Sequence, residues 1–154
     1  MQKVTLTGQD KVIEALNKWA QVEVMIRSWM KSGQPDEIMQ KSFTQNFASQ
    51  GRPKWSKLAD STLADRKKKG YSPSPILVRT GNLRDEVTSL TGKVTTAGRS
   101  MQMVWGIDQI RDKGKFASHQ AGIRNPQRQM IGFQKIDATR LGRSLREFIL
   151  MQLK

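Results

Sequence analysis

The sequence contains no cysteine and a single histidine among its 154 residues. Without cysteine, the chain forms no disulfide bond and has no thiolate nucleophile. The one histidine, His119, cannot make a zinc site alone, because such sites use several His, Cys or carboxylate ligands at suitable spacings. The sequence therefore predicts a protein that uses no metal and no cofactor.

Other catalytic arrangements are also lacking. Asp108 and Asp112 lie near His119 in the sequence, but no nucleophile accompanies them in a spacing typical of a triad. The Gly-Lys pairs at 92–93 and 114–115 are not preceded by the glycines of a phosphate-binding loop. We therefore expect no catalytic residue, and a nuclease or another small enzyme is the function that the sequence favours least.

Long hydrophobic runs are absent. Only 36% of the residues are hydrophobic, and no run approaches the about 20 residues that a membrane-spanning helix needs. The first eleven residues, MQKVTLTGQDK, have no apolar stretch of the kind found in signal peptides. We expect a single domain, residues 1–154, that is made inside a cell, does not enter a membrane and leaves surface for a partner to cover.

Positive charge is what the sequence has in excess. Its 27 basic and 13 acidic side chains give a net charge of +14. Residues 50–84 and 111–154 carry +7 each, whereas residues 1–49 carry +1 and residues 85–110 carry −1. Two basic segments of this kind are typical of proteins that contact nucleic acid or another polyanion.

The densest basic run is predicted to make such a contact. It consists of Arg66, Lys67, Lys68 and Lys69. The run also falls in the last turn of a predicted helix, where basic side chains complement the helix dipole. A solvated helix end is therefore the simpler alternative for each of these residues, and the sequence leaves both interpretations open.

Hydrophobic periodicity and capping residues predict helices at both ends of the chain. The predicted helices cover residues 9–31, residues from Pro35 to about Ser49, residues 63–69 after a cap at Asp60 or Ser61, and the segment that follows Asp137. Thr80 is expected to cap a short turn over residues 81–85. Residues 113–121 are either a short helix or a loop.

From Glu86 onward, β-branched residues and alternating patterns predict antiparallel strands. We expect strands between Glu86 and Thr96, over residues 100–106 and over residues 129–133, with a hairpin turn at Thr91-Gly92 or at Ala97-Gly98. The predicted fold class is α+β, with a small antiparallel sheet flanked by N-terminal helices and a C-terminal helix.

Residues 50–85 combine three of the five prolines with many apolar side chains, and we interpret this segment as an extended arm. Such an arm either docks on a neighbouring subunit, which we expect, or folds back onto its own sheet. Trp55 and Tyr71 either pin the arm to a core or stack on nucleic-acid bases.

Several short motifs occur in order along the chain. They are Phe47; GRPKW with Gly51, Pro53 and Trp55; Leu58 and Thr62; ILVRTGNL with Ile76, Leu77, Thr80, Gly81 and Leu83; Ala117, His119, Gln120 and Gly122; and RQMIGF at 128–133. Over residues 43–150 these motifs resemble the phage virion morphogenesis family, the tail-completion or neck proteins of Mu-like phages. The chain departs from the family pattern at Gln129, where proline is usual, and at Met130, where an aromatic residue is usual.

The resemblance implies a structural protein at the phage head–tail junction, a small sheet flanked by helices, and no catalytic residue. We expect a ring of identical subunits, most simply a hexamer, that serves as a neck ring or a tail terminator. Expected partners are head-closure or connector proteins, tail tube proteins and genomic DNA in the ring lumen. The expected location is the virion, after synthesis in the host cytoplasm. The main alternative is a sequence-tolerant DNA-binding protein that uses the basic segments 50–84 and 111–154.

The expected subunit interface follows from apolar side chains on residues 19–30 and 71–83, which exceed what a thin core can bury. The predicted interface residues are Trp29, Trp55, Ile76, Leu77 and Val78.

Overall fold

The computed structural model describes residues 9–97 and 100–153. This part of the chain contains six α-helices and one antiparallel pair of strands, which confirms the predicted α+β class. The elements are α1 (Gln9–Lys31), α2 (Gln34–Ala48), α3 (Asp60–Lys68), α4 (Asn82–Thr88), β1 (Lys93–Ala97), β2 (Ser100–Val104), α5 (Lys113–Ala121) and α6 (Lys135–Gln152). A 3₁₀ turn over Ile107–Gln109 leads from the hairpin toward α5.

The two N-terminal helices form where the sequence predicts them. Pro35 lies in the first turn of α2, where its missing N–H costs no helical hydrogen bond, and Asp36 and Glu37 lie at the positive end of the helix dipole. The predicted cap of α3 is wrong, since the residue before this helix is Ala59 and not Asp60 or Ser61. The carboxylate of Asp60 still complements the dipole from within the first turn.

Residues 86–88 were expected in a strand, but they lie in α4. Gly81 precedes this helix with a φ of +89°, a conformation that glycine adopts without strain. Leu83 and Val87 are four residues apart, so they share one side of α4 and are buried. Because this side packs against α2, burial outweighs the β-propensity of the segment.

The sheet is a single hairpin in the described residues. β1 and β2 pair with Val94 opposite Met103. The link between the strands, which includes Gly98 of one predicted turn, lies outside the described residues. Asp36 fastens the hairpin to α2, because its Oδ1 accepts hydrogen bonds from the Gly92 N–H (2.6 Å) and the Trp105 Nε1–H (2.8 Å).

The predicted last strand, residues 129–133, is wrong: these residues have irregular backbone. The physical reason is that their main-chain groups bond to side chains of α2 and α5 instead of to a neighbouring strand. Those bonds place Met130, which is fully buried, in the core.

The core is built around α2 and is completed by the arm. Its buried members are Met39, Phe43, Phe47, Trp55, Leu77, Leu83, Val87, Leu90, Ile110, Phe116 and Met130. Trp55 and Leu77 belong to this set, so the arm folds back onto its own domain in the structure. The expectation that these arm side chains leave the domain to dock elsewhere is thereby corrected.

α1 packs through its C-terminal part and leaves its first half exposed. Trp29 is buried, and its Nε1–H donates to Ser144 Oγ in α6 (3.0 Å), which in turn donates to Gln34 Oε1 (2.9 Å). By contrast, Trp19 is 73% exposed. In the described residues, no helix is both long enough and apolar enough to cross a bilayer.

Candidate functional site

Residues 129–131 are held by two amide side chains. Gln120 Oε1 accepts from the main-chain N–H groups of Met130 (2.7 Å) and Ile131 (3.1 Å), while its Nε2 donates to the Ile131 carbonyl (2.7 Å). From α2, Asn46 Nδ2 donates to the carbonyls of Gln129 (2.8 Å) and Met130 (3.0 Å). These bonds replace the ladder of the strand that the sequence predicted.

The GRPKW turn is shaped by the packing of its tryptophan. The Trp55 ring meets Phe47 edge to face with centroids 5.3 Å apart, and its Nε1–H donates to the Gln129 carbonyl (3.1 Å). Gly51 has a φ of +100°, and a Cβ there would overlap the Trp55 ring and lie 2.6 Å from the Pro53 carbonyl oxygen. Glycine at position 51 is therefore required for this turn.

Three motifs that carry the family resemblance thus meet at residues 129–131. Residues 129–131 belong to RQMIGF. They accept a hydrogen bond from Trp55 of the GRPKW segment and donate to Gln120 of the His-Gln pair. Leu77 and Leu83 of the ILVRTGNL segment lie in the same core cluster. These motif residues position the arm and form one structural unit.

A cleft of about 500 Å³ opens between the arm, α3 and α5, and we call it the cationic cleft. Its charged or titratable lining residues are Lys57, Asp65, Arg66, Arg79, Lys115, His119 and Arg128, and its apolar lining includes Leu58, Leu77 and Pro126. Asp65 is the one carboxylate among these residues, and its Oδ1 already pairs with Lys69 Nζ at 2.7 Å.

Arg128 closes one side of the cationic cleft and is only 3% exposed. Its Nη2 donates to the carbonyls of Ser56 (3.1 Å) and Lys57 (3.3 Å), and its Nε also donates to Ser56 (3.3 Å). Burial lowers the pKa of the Arg128 guanidinium. The group still carries its charge at neutral pH, because arginine titrates far above that range.

Arg66 also donates hydrogen bonds to main-chain carbonyls of the arm. It is 5% exposed, and its Nη1 donates to the carbonyls of Ser72 (3.1 Å) and Pro75 (3.1 Å). The side chain of Arg66 thus holds the arm and lines the cationic cleft, unlike the exposed lysines of the predicted polyanion-contact run. Of the remaining run, Lys67 and Lys68 are exposed.

His119 lies half-buried at the edge of the cationic cleft, with Nδ1 3.5 Å from Arg128 Nη1. Burial, followed by the positive charges of Arg128 and Lys115, holds the pKa of His119 below its ordinary value. The neutral imidazole is therefore favoured near neutral pH. In the described residues, no group of three His, Asp or Glu side chains is placed to hold a metal ion.

The five predicted interface residues all contribute to the interior of the domain. Trp29, Trp55 and Leu77 are buried, whereas Ile76 and Val78 are half-buried and pack against the core. In this conformation the three buried side chains are not available to a second subunit, which corrects the prediction for them. The exposed large apolar side chains include several on α1 and at the end of α6, and others lie at Val104, Ile123, Phe133 and Ile136.

Sequence reasoning missed a buried polar network between α2 and α6. Asp137 is fully buried, and its Oδ2 accepts from Ser42 Oγ (2.7 Å) and from the Gln134 N–H (2.9 Å). Arg52 Nη2 donates to the Ser42 carbonyl (2.6 Å) and Oγ (3.0 Å). The bond from Gln134 to Asp137 is a local capping signal, but no local pattern reveals Ser42 or Arg52 as partners.

The cationic cleft was missed for the same reason, because its lining comes from four separate parts of the sequence. Comparison of the chain with protein-family models, with curated proteins and with solved structures found no match. The family resemblance therefore stays a prediction that depends on the residues themselves.

Proposed function

We propose that the chain is a structural phage virion protein that forms a closed ring of identical subunits, most simply six, where head and tail join. As a neck ring or a tail terminator, it would contact head-closure or connector proteins on one side and tail tube proteins on the other. The role requires no catalytic residue, because the chain acts by filling and sealing a junction.

The motif contacts support the placement at the junction. Segments far apart in sequence, including GRPKW and RQMIGF, carry the resemblance to the virion morphogenesis family, and they meet around Trp55 and Gln120. Residues that pack together in this way form one structural unit, which supports reading the motifs as parts of a single pattern. The departures at Gln129 and Met130 do not disturb this unit, since both residues take part in it.

The observation that carries the assembly role is the exposed apolar surface of α1. Ile13, Leu16, Trp19 and Val24 are 55%, 61%, 73% and 63% exposed, respectively. Helical periodicity places these four side chains on one broad side of α1. Exposed apolar side chains grouped in this way on a small domain support a protein interaction site there.

The end of α6 also exposes apolar side chains. Leu150, Met151 and Leu153 are 48%, 59% and 64% exposed. Val24 and Met25 of α1 face Phe148 across a groove of about 490 Å³ between the two helices. A contact that joins α1 of one subunit to a different face of the next would be of the head-to-tail type, which forms a ring when the rotation between subunits closes.

Two tryptophans of α1 provide a matched test of the assembly role. Trp19→Ala removes an exposed side chain and should weaken the subunit contact by about 2 kcal/mol, or about 30-fold in dissociation constant. Trp29→Ala removes a buried side chain and should instead cost about 3–5 kcal/mol of folding stability. Native mass spectrometry with light scattering measures assembly, and urea unfolding measures stability.

The two variants separate the possible outcomes. If Trp19→Ala assembles as the wild-type chain does, the α1 surface is not the subunit interface. A wild-type chain that stays monomeric at high concentration and binds DNA of any sequence would favour the DNA-binding alternative over the ring.

A further inference from the structure

We propose that the cationic cleft binds consecutive phosphate groups of a nucleic-acid strand, with Lys57, Arg79 and Lys115 as the contacting cations. These contacting cations differ from the exposed lysines Lys67, Lys68 and Lys69 of the basic run, although Arg66 of that run lines the cleft. The inference does not depend on the proposed ring, because the cleft lies within one subunit.

The first argument is an imbalance of buried charge. Arg66 and Arg128 are almost fully buried, and in the described residues both bond to main-chain carbonyls and neither forms an ion pair with a carboxylate. Buried guanidinium groups are normally paired with an anion, because removing a charge from water is costly. Both residues line the cationic cleft, so an anion in the cleft would supply the charge that the fold itself does not.

The second argument is the number of cations at the rim. Lys57, Arg79 and Lys115 are exposed and line the same cleft. Arg79 is held in place, since its guanidinium carbon lies 5.2 Å from the centroid of the Tyr71 ring. Asp65 is the one acidic residue that lines the cleft, and it is already engaged with Lys69.

The charge count favours phosphates over a protein carboxylate. One carboxylate would neutralise a single cation among the five Lys and Arg side chains that line the cleft. A nucleic-acid strand presents one negative charge per nucleotide, about every 3.4 Å along the axis of a duplex, so several phosphates reach such a site together. Leu58 and Pro126 supply apolar surface against which a sugar or base can pack.

The test compares two charge-matched double variants of the full chain. Arg79→Gln with Lys115→Gln removes two exposed cations of the cleft, and Lys67→Gln with Lys68→Gln removes two exposed cations of the basic run. Fluorescence anisotropy with a labelled 12-nucleotide oligothymidine measures the affinity over a range of salt concentrations. Arg66 and Arg128 are left intact because they hold the arm.

We expect the cleft variant to bind at least about tenfold more weakly and to lower the slope of log K against log salt by about 1.4, since each lost phosphate contact on a single strand removes about 0.7. The control variant should keep most of the affinity and slope. Equal losses in both variants would show that binding follows net charge alone and would overturn the proposal.

His119 provides a second readout, because it is the only histidine in the chain and gives one imidazole signal in NMR. Phosphates bound in the cleft place negative charge beside the ring and should raise its pKa. Oligothymidine should therefore raise the pKa of His119 in the wild-type chain and in the control variant. Binding of poly-glutamate in the cleft without binding of oligothymidine, or an unchanged His119 pKa at saturation, would contradict the assignment.

Inorganic phosphate distinguishes a single-phosphate site from a strand site. If free phosphate displaces oligothymidine at low millimolar concentration, the cleft recognises one phosphate and not a strand, which would overturn the strand assignment. The strand assignment is supported if free phosphate displaces oligothymidine only at concentrations at which a neutral salt of the same ionic strength does so as well.

Discussion

Trp55 shows how a single residue orders the arm. Its ring packs against Phe47, its Nε1–H bonds to the Gln129 carbonyl, and Gly51 leaves the space that the ring fills. Leu77 completes the attachment with a φ of +61°, a conformation that costs a non-glycine residue about 1–2 kcal/mol. Leu77 keeps this conformation because its side chain is buried in the core.

Trp55→Ala should therefore destabilise the chain by about 3–5 kcal/mol, as large-to-small changes in a packed core do. Urea unfolding followed by circular dichroism measures the free energy of unfolding. Trp19→Ala is the control, since an exposed side chain should change the stability of the subunit by no more than about 0.5 kcal/mol. A Trp55→Ala variant as stable as the control would mean that the arm does not depend on this contact.

At the scale of elements, α5 links the arm to the segment before α6. Gln120 holds residues 130–131, and Arg128 reaches back to the arm carbonyls at Ser56 and Lys57. His119 lies between these contacts, so its protonation adds a positive charge next to Arg128. The stability of this junction should therefore depend on pH.

The sign of the dependence follows from the lowered pKa of His119. The unfolded chain takes up a proton near pH 6.5, the ordinary value, whereas the folded chain does so only at lower pH. The contribution of neutral His119 to the free energy of unfolding is therefore fully present above the unfolded-state pKa. It is lost as the pH falls from about 7 toward the folded-state pKa. We expect Tm to decrease as the pH is lowered from 7.5 to 5.5.

His119→Gln removes this titration and should flatten the change in Tm over the same interval. Differential scanning calorimetry of both proteins in the same buffers makes the comparison, and the carboxylates, which both proteins share, cancel in the difference. Parallel curves for the two proteins would show that His119 does not control the pH dependence.

At the scale of the whole molecule, charge and apolar surface lie in different places. The net charge of +14 would make a ring of identical subunits repel itself unless DNA or acidic neighbouring proteins offset it. The apolar surface of α1 and α6 can supply contacts between subunits, while the cationic cleft remains open to an anion. The proposed junction role accommodates both features.

If the proposed role holds, a phage that lacks this chain should still build heads and tails but should not join them into infectious particles. The reason is that a junction protein acts after both large assemblies exist. Electron microscopy of lysates and plaque titres measure the two quantities. Trp55→Ala should reproduce the deletion, whereas Lys67→Gln should not. Normal infectious particles from the deletion, or loss of infectivity from His119→Ala with the fold intact, would contradict a structural role.

Elements whose signals are local can be predicted from the sequence. Periodicity and β-branched residues predict α1, α2, α6 and the strands around Val94 and Met103. The predicted start of α6 after Asp137 is wrong, because this helix begins at Lys135 with Gln134 as its cap. The turn at Gly51 and the importance of Trp55 were also visible as a motif. Residues 113–121 form α5, but their sequence does not decide between a helix and a loop, because a nine-residue helix with mixed polarity has a weak periodic signal.

Features that depend on partners far apart in sequence could not be predicted in this way. Burial of Leu83 and Val87 against α2 made a helix of a segment with β-propensity, and Gln120 with Asn46 replaced an expected strand ladder. The cationic cleft likewise exists because Arg66 and Arg128 fold inward from segments about 60 residues apart in sequence. Local sequence patterns do not reveal these contacts, because each one is made between groups that are brought together only when the chain folds.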